Sequence, residues 1–153
     1  MFLSNNVGIP CSPRSLYDGL KEYAKTISYA FGCRDVKCDS DDGFSVAIDI
    51  AKQADFVVIV AGLDTTLETE DLDRVSLLLP GKQMDLVSRV AAASKRPVIL
   101  VLTGGGPLDV SFAESNQLIT SILWVGYPGE AGGKALSEII FGEFNPGMYF
   151  VNK

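Results

Sequence analysis

The sequence predicts an α/β fold, a three-layer α/β/α sandwich built on a mainly parallel sheet. Three short runs of β-branched and aliphatic residues are typical of strands buried on both faces. Segments with helical spacing of apolar residues separate these runs, and no hairpin turn signal lies between them. Alternating strands and helices form right-handed crossovers that cover both faces of a parallel sheet. A chain of 153 residues suffices for one such core, so we expect a single domain over 1–153.

The elements follow from local signals along the chain. Ser12 and Pro13 have the residue types preferred at a helix N-cap and in a first helical turn. The run at 56–61 is continuously apolar and β-branched, so we expect it to be the central strand. The predicted elements are a helix over about 13–24, a short strand at 27–31, a helix over about 44–51, the strand at 56–61, a helix that begins near residue 80, strands at 97–102 and 121–125, and a last helix that ends near residue 141.

Composition excludes several classes of function. The chain has 13 basic and 19 acidic residues, and a net charge of -6 repels phosphate backbones, so nucleic acid is not an expected partner. It has no histidine, which excludes Ser-His-Asp and Cys-His catalysis and imidazole metal sites built from this chain alone. We expect no metal and no cofactor. No apolar run approaches the roughly 20 residues of a membrane span, and the first residues lack the pattern of a signal peptide.

The three cysteines leave two alternatives open. Cys33 and Cys38 are near enough in sequence for a local disulfide, in which case Cys11 stays free or pairs elsewhere. The other alternative is three unbridged, half-buried thiols. None of the spacings forms a paired CxxC metal motif.

The candidate chemistry lies in one loop at the carboxyl ends of the predicted strands, where parallel sheets bind ligands. This loop, residues 62–79, is about 18 residues long, whereas such loops usually have roughly 2 to 6. Mutual repulsion among its acids should raise some of their pKa values, which suits a carboxylic acid that donates a proton. The alternative is a solvated loop with a structural Asp73–Arg74 pair. The five acids are Asp64, Glu68, Glu70, Asp71 and Asp73.

A glycine-rich turn at 103–107 permits a different interpretation. Exposed backbone amides can bind phosphate, which would suit a nucleotide-binding, flavodoxin-like domain. The turn lacks both GxGxxG and the Walker lysine, and Pro107 removes one donor. The signal for phosphate is therefore weak.

Several motifs, in this order and spacing, resemble the C-terminal α/β domain of glycoside hydrolase family 3. The resemblance covers roughly residues 4 to 147 and is closest to plant β-D-xylosidases and bifunctional xylosidase/α-L-arabinofuranosidases. The motifs are Gly8-Ile9-Pro10-Cys11, Gly32-Cys33-x-Asp35-Val36-x-Cys38, Gly62-Leu63-Asp64, Glu68-x-Glu70-x-x-Asp73-Arg74, Leu79-Pro80-Gly81-x-Gln83, residues 124–133 and Phe141-Gly142-x-x-Asn145-Pro146.

The resemblance implies a retaining exo-glycosidase that removes terminal β-D-xylosyl or α-L-arabinofuranosyl residues from plant cell-wall polysaccharides. In that family a preceding (β/α)8 barrel supplies an aspartate nucleophile, and this domain supplies a glutamate acid/base. Carried onto this sequence, the acid/base is Glu68, with Glu70 as the alternative. Asp73 and Arg74 would brace the loop. The partners implied are a glycoside or oligosaccharide substrate and the barrel, and the location implied is extracellular.

The chain also departs from the family pattern. The barrel is absent, the family's first strand would precede the segment that matches residues 1–8, and the residues after Gly147 differ from the family's continuation. We therefore expect a fragment truncated at both ends, able to supply the acid/base but inactive alone. The alternative is a non-catalytic α/β module that binds carbohydrate or protein.

Overall fold

The computed structural model describes residues 9–146, which form two compact units. Unit one consists of residues 9–27 and 128–146, and unit two of Ser28–Tyr127. That the chain is a single domain stays a prediction. The prediction of truncation at both ends concerns residues 1–8 and 147–153, which lie outside the described residues. The elements are α1 (Leu16–Leu20), α2 (Phe44–Ala51), β1 (Val57–Gly62), α3 (Gln83–Ala93), β2 (Val98–Thr103), α4 (Ser111–Glu114), β3 (Ile119–Trp124) and α5 (Gly132–Ile140).

Unit two is built on a parallel sheet of three strands in the order β1-β2-β3. Val57 of β1 lies opposite Val98 of β2, and Val98 lies opposite Ile119 of β3, with one register irregularity between Val98 and Ile99. The predicted α/β class with a parallel sheet is therefore confirmed, as are the three strands that flank and follow the acidic loop. Among the described strands β2 is central, so the prediction that β1 is central is wrong.

The burial of the strands explains this difference. Every other residue of β1 faces the core, as Val57 and Ile59 do, but Val60 on the opposite face is 48% exposed. In β2 five of the six residues are buried, on both faces. A continuous apolar run thus marks a strand without revealing its place in the sheet, because β1 and β2 are both rich in valine and other aliphatic residues.

The core of unit two lies between one face of the sheet and the helices α2, α3 and α4. The strand residues on this face alternate along β1 and β2, as expected for side chains that point to opposite faces. The helix α4 has only four residues and was not predicted. The buried core residues are Ala51, Val57, Ile59, Leu79, Val87, Val90, Ala91, Val98, Leu100, Leu102, Ala113 and Ile119.

In unit one, α1 packs directly against α5. A Cβ at Gly19 would lie 2.3 Å from the carbonyl oxygen of Gly133, so only glycine permits this approach. The helix α1 begins later than predicted because Ser15, rather than Ser12, is its N-cap, and it ends at Leu20 rather than near residue 24. The Ser15 hydroxyl accepts from the Asp18 N–H (3.1 Å), and the Asp18 carboxylate accepts from the Ser15 N–H (3.2 Å).

The strand predicted at 27–31 does not form. This segment has an irregular backbone, and its aromatic side chains Tyr29 and Phe31 are 59% and 70% exposed. The two rings pack edge to face on each other, with centroids 4.9 Å apart. A β-branched and aromatic composition predicted a strand, but the segment pairs with no strand among the described residues.

A disulfide joins Cys33 and Cys38, whose Cα atoms lie 5.0 Å apart, and Cys11 is free and exposed. Of the two alternatives that the sequence left open, the local disulfide is therefore the one that forms. Cys38 is fully buried, and its carbonyl oxygen accepts from the Lys82 N–H at the start of α3 (3.0 Å). The bridge thus closes a short loop, residues 33–38, that rests on the entry to α3.

We expect the double variant Cys33→Ser/Cys38→Ser to lower the free energy of unfolding by about 2 kcal/mol, because the bridge restricts the unfolded chain over a short loop. Urea unfolding monitored by far-ultraviolet circular dichroism measures this difference. The matched control is Cys11→Ser, which should change it by less than about 0.5 kcal/mol. A double variant with the wild-type midpoint would contradict the prediction.

Candidate functional site

The acidic loop, residues 62–79, is held at both of its ends by buried leucines. Leu63 is fully buried, its N–H donates to the carbonyl oxygen of Thr103 (3.0 Å), and its own carbonyl oxygen accepts from the Thr103 hydroxyl (2.9 Å). Leu79 lies in the core of unit two. The loop therefore leaves and re-enters the core at fixed points, and its exposed middle lies between them.

A buried glutamine joins these two ends. The carboxamide of Gln83, 4% exposed, accepts from the Gly62 N–H (2.7 Å) and donates to the Gly62 carbonyl oxygen (2.8 Å). The same amide nitrogen donates to the carbonyl oxygen of Val36 in the disulfide-closed loop (2.6 Å). Next to it, Gly81 has φ +50°, and a Cβ there would lie 1.9 Å from the Lys37 carbonyl oxygen. Residue 81 is therefore restricted to glycine.

Glu68 is the centre of a polar cluster. One carboxylate oxygen accepts from the Gly105 N–H and from the Tyr127 hydroxyl, and the other accepts from Arg74 Nε (3.0 Å). The side chain of Glu68 is 15% exposed and that of Arg74 14%. Both carboxylate oxygens are thus occupied in a site largely shielded from solvent.

Arg74 holds the base of the acidic loop through two further contacts. Its Nη1 donates to the carbonyl oxygen of Ser76 (3.2 Å), and its Nη2 donates to that of Pro107 (2.7 Å). The planar guanidinium therefore binds the carboxylate of Glu68 and two backbone carbonyls at once, which a lysine could not reproduce. Asp73, predicted to brace the loop with Arg74, is exposed and is not one of its partners.

The environment of Glu68 favours its ionised form. Burial acts to raise the pKa of the Glu68 carboxyl, but the hydrogen bonds from Tyr127 and Gly105 and the charge of Arg74 outweigh burial, so the pKa lies below its ordinary value of 4.5. Burial and the negative charge of Glu68 raise the pKa of the Tyr127 hydroxyl. Tyr127 is therefore a neutral donor and Glu68 a carboxylate at neutral pH.

Glu70 lies two residues along the chain in a different setting. The Leu72 N–H donates to the Thr69 carbonyl oxygen (3.0 Å), so Glu70 and Asp71 are the two central residues of a β-turn. Asp71 has φ +64°, as a type II turn requires at its third position. The Glu70 side chain is exposed and makes no hydrogen bond or ion pair with any of residues 9–146. The turn therefore presents a carboxyl group to solvent.

The remaining acid with a defined contact is Asp64, whose carboxylate accepts from the N–H of Thr66 (2.9 Å) and from its hydroxyl (2.5 Å). This is a local Asx turn that shapes the start of the loop. The second half of the loop carries several apolar side chains that are open to solvent. Its exposed side chains are Leu72, Val75, Leu77 and Leu78.

In the part of the chain that the structure describes, no group of three histidine, cysteine or carboxylate side chains is placed to hold a metal ion. The helices of residues 9–146 are all too short or too polar to cross a membrane.

Three residues of the site were not predicted to contact the acidic loop. Gln83 and Tyr127 belong to motifs that the sequence analysis quoted, and Gly105 belongs to the glycine-rich turn. What locates them is their contact with the acidic loop, because each follows a different strand and meets the loop only in the folded chain. Motif spacing marked these positions without showing what they bind.

Known proteins are similar to this chain in sequence. The family model "Glycosyl hydrolase family 3 C-terminal domain" matches residues 4–148. The chain is 67% identical over 140 residues, 92% of its length, to "Probable beta-D-xylosidase 6" of Arabidopsis thaliana. It is 52% identical over 146 residues, 95% of its length, to "Beta-xylosidase/alpha-L-arabinofuranosidase 1" of Medicago sativa subsp. varia. It spans 18% and 19% of the lengths of these two relatives.

Solved structures show the same fold. A GH3 exo-β-xylosidase in complex with a xylobiose aziridine probe superposes with a TM-score of 0.82 at 34% identity, over 87% of this chain and 17% of that one. A GH3 β-glucosidase of Bifidobacterium adolescentis superposes with a TM-score of 0.77 at 32% identity, over 88% of this chain and 20% of that one.

Replacing Gln83 by leucine should destabilise unit two by at least about 2 kcal/mol, since three buried backbone groups of Gly62 and Val36 lose their partner. Urea unfolding gives the free energy, and hydrogen exchange should show faster exchange at the Gly62 amide. The matched control is Gln53→Leu on an exposed surface, which should change stability by less than about 0.5 kcal/mol. Equal effects of the two variants would refute the role assigned to Gln83.

Glu68 should make stability depend on pH. Its folded pKa lies below the unfolded value, so its contribution is present above the unfolded pKa and is lost as pH falls through the folded pKa. We expect Glu68→Gln to cost about 1–3 kcal/mol at pH 7. The gap to wild type should narrow as pH falls below 4.5. Urea midpoints of both proteins across this range test it, and a gap independent of pH would contradict it.

Proposed function

Since this chain belongs to glycosyl hydrolase family 3, as its C-terminal domain, we propose that the protein containing it is an exo-acting glycoside hydrolase that releases terminal β-D-xylosyl residues. The names of the two plant relatives support this substrate class, and the bifunctional one adds α-L-arabinofuranosyl residues as a second class. Cell-wall polysaccharides that end in these sugars are the proposed substrates.

In this proposal the acidic loop supplies the general acid/base, and the contacts favour Glu70 over Glu68 for that role. A general acid must be able to reach the glycosidic oxygen. Both carboxylate oxygens of Glu68 already accept hydrogen bonds, from Gly105 and Tyr127 and from Arg74. Glu70 is exposed at the tip of a turn. This exposed tip is the observation that carries the assignment.

The reaction then follows the scheme of retaining glycosidases. Glu70 donates a proton to the glycosidic oxygen as a nucleophilic carboxylate attacks the anomeric carbon, and the ionised Glu70 then takes a proton from the water that hydrolyses the covalent intermediate. The nucleophile would lie about 5 Å from Glu70 across the scissile bond. We propose that it comes from a preceding barrel domain and that the 153-residue chain alone is inactive.

The exposed apolar residues of the acidic loop support a partner for this surface. Val75 is fully exposed, and Leu77 and Leu78 are each about half exposed, next to the turn that bears Glu70. Contiguous apolar side chains near a site are typical of a buried contact in the complete protein. We propose that these apolar side chains pack on the barrel domain. This contact would position the turn that bears Glu70 at the mouth of the barrel.

We also propose an extracellular location. The Cys33–Cys38 disulfide supports it, because such bonds persist in oxidising compartments and are rare in the cytosol. Cys38 contacts the start of α3 rather than the acidic loop. In this proposal the disulfide therefore stabilises the fold and takes no part in the reaction.

The decisive experiment uses the full-length protein and its Glu70→Gln and Glu68→Gln variants with an aryl β-xyloside. Glu70→Gln should lower kcat/KM for a substrate with a poor leaving group by about 10²–10⁴-fold. With 2,4-dinitrophenyl β-xyloside, whose leaving group needs no proton, sodium azide should restore turnover by attacking the covalent intermediate and should yield β-xylosyl azide.

Glu68→Gln is the matched control, since it removes a carboxylate two residues away. Its activity should fall without restoration by azide. Restoration in Glu68→Gln instead of Glu70→Gln would transfer the acid/base role to Glu68. A full-length wild type that binds xylobiose without hydrolysing any xyloside would identify a non-catalytic carbohydrate-binding module.

A further inference from the structure

Tyr127 lies three residues beyond the end of β3, far in sequence from the acidic loop. Its hydroxyl donates to the carboxylate oxygen of Glu68 that also accepts from the Gly105 N–H. The other oxygen of Glu68 binds Arg74. One carboxylate therefore joins the loops that follow β1, β2 and β3.

We propose that Tyr127 is a positioning residue for the proton donor: by holding Glu68, its hydroxyl fixes the base of the Thr69–Leu72 turn that presents Glu70. This inference rests on the proposed function. The Leu72 N–H donates to the Thr69 carbonyl oxygen and closes the turn. Glu68, which enters the turn, and Arg74, which follows it, connect the turn to the loops after β2 and β3.

A phenol suits this role better than a second cation would. Arg74 already neutralises Glu68, and the other acids of the loop, among them Glu70, lie within a few residues. A second positive charge in place of Tyr127 would hold Glu68 as firmly, but it would favour the ionised form of nearby carboxyl groups and so weaken a general acid. Tyr127 is buried enough to stay protonated and adds no charge.

The geometry also separates Tyr127 from the reacting atoms. Its hydroxyl is engaged with Glu68, whose oxygens are both occupied, so neither group is free to exchange a proton with the substrate. Loss of the hydroxyl should therefore affect the step that needs the acid in the correct place. The formation of the covalent intermediate should be affected little when the leaving group needs no proton.

The test compares Tyr127→Phe with wild type in the full-length protein, using phenyl β-xyloside and 2,4-dinitrophenyl β-xyloside. We expect kcat/KM for the phenyl xyloside to fall roughly tenfold, the size of one lost hydrogen bond. For the dinitrophenyl xyloside kcat/KM should fall less than about twofold, because it reports only the formation of the covalent intermediate, which here needs no proton donor. Hydrogen exchange at the amides of residues 69–72 should become at least several-fold faster in the variant.

The matched control is Tyr23→Phe, which removes the same atom from a ring that stacks on Phe141 in unit one, with centroids 4.8 Å apart. It should leave both substrates and the exchange of residues 69–72 unchanged. Thermal midpoints of both variants show that each is folded at the assay temperature.

Two results would overturn the inference. In an active enzyme, an equal fall in kcat/KM for both xylosides, or unchanged kcat/KM with unchanged exchange at residues 69–72, would show that Tyr127 does not position the acid. A wild type inert towards both xylosides would contradict the proposed function itself, and the positioning role with it. The activity of the wild type therefore distinguishes the two failures.

Discussion

The carboxamide of Gln83 connects three separate segments of unit two, and the acidic loop depends on it. It pairs with both backbone groups of Gly62 and also donates to Val36, so the end of β1, the start of α3 and the disulfide-closed loop meet at one buried amide. A buried amide with all of these partners satisfied is rigid, because any displacement leaves polar groups without hydrogen bonds. The rigid base lets the exposed part of the loop present side chains at a defined place.

The two glutamates of the loop show how environment separates identical side chains. Glu68 receives three donors in a shielded site and is held ionised, whereas Glu70 lies two residues later on an exposed turn. A carboxylate that is bound on both oxygens stabilises structure, and one whose oxygens face solvent can reach a substrate. In the proposed enzyme the first glutamate therefore supports the second, and the acidity of the loop as a whole is a poor guide to which residue reacts.

The sequence predicted most elements of unit two because their signals are local. The buried apolar run of β2 and the amphipathic spacing of α3 need no knowledge of distant residues. The segment at 27–31 misled because its aromatic composition is compatible with a strand but its side chains are exposed. The contacts of Glu68 could not be predicted, since Gly105 and Tyr127 lie 37 and 59 residues away and periodicity carries no information about such pairings.

The long sequence separations between Glu68 and its partners also affect how the protein folds. The ion pair of Glu68 with Arg74 spans six residues and can form early, but its bonds to Gly105 and Tyr127 require all three parallel strands to be aligned. Closing long loops costs entropy before the contacts form, so folds rich in distant contacts fold slowly. We expect the cluster around Glu68 to be completed last. A nascent chain would then carry its acidic loop unformed until synthesis has passed Tyr127, and ordering of this loop would report the end of folding.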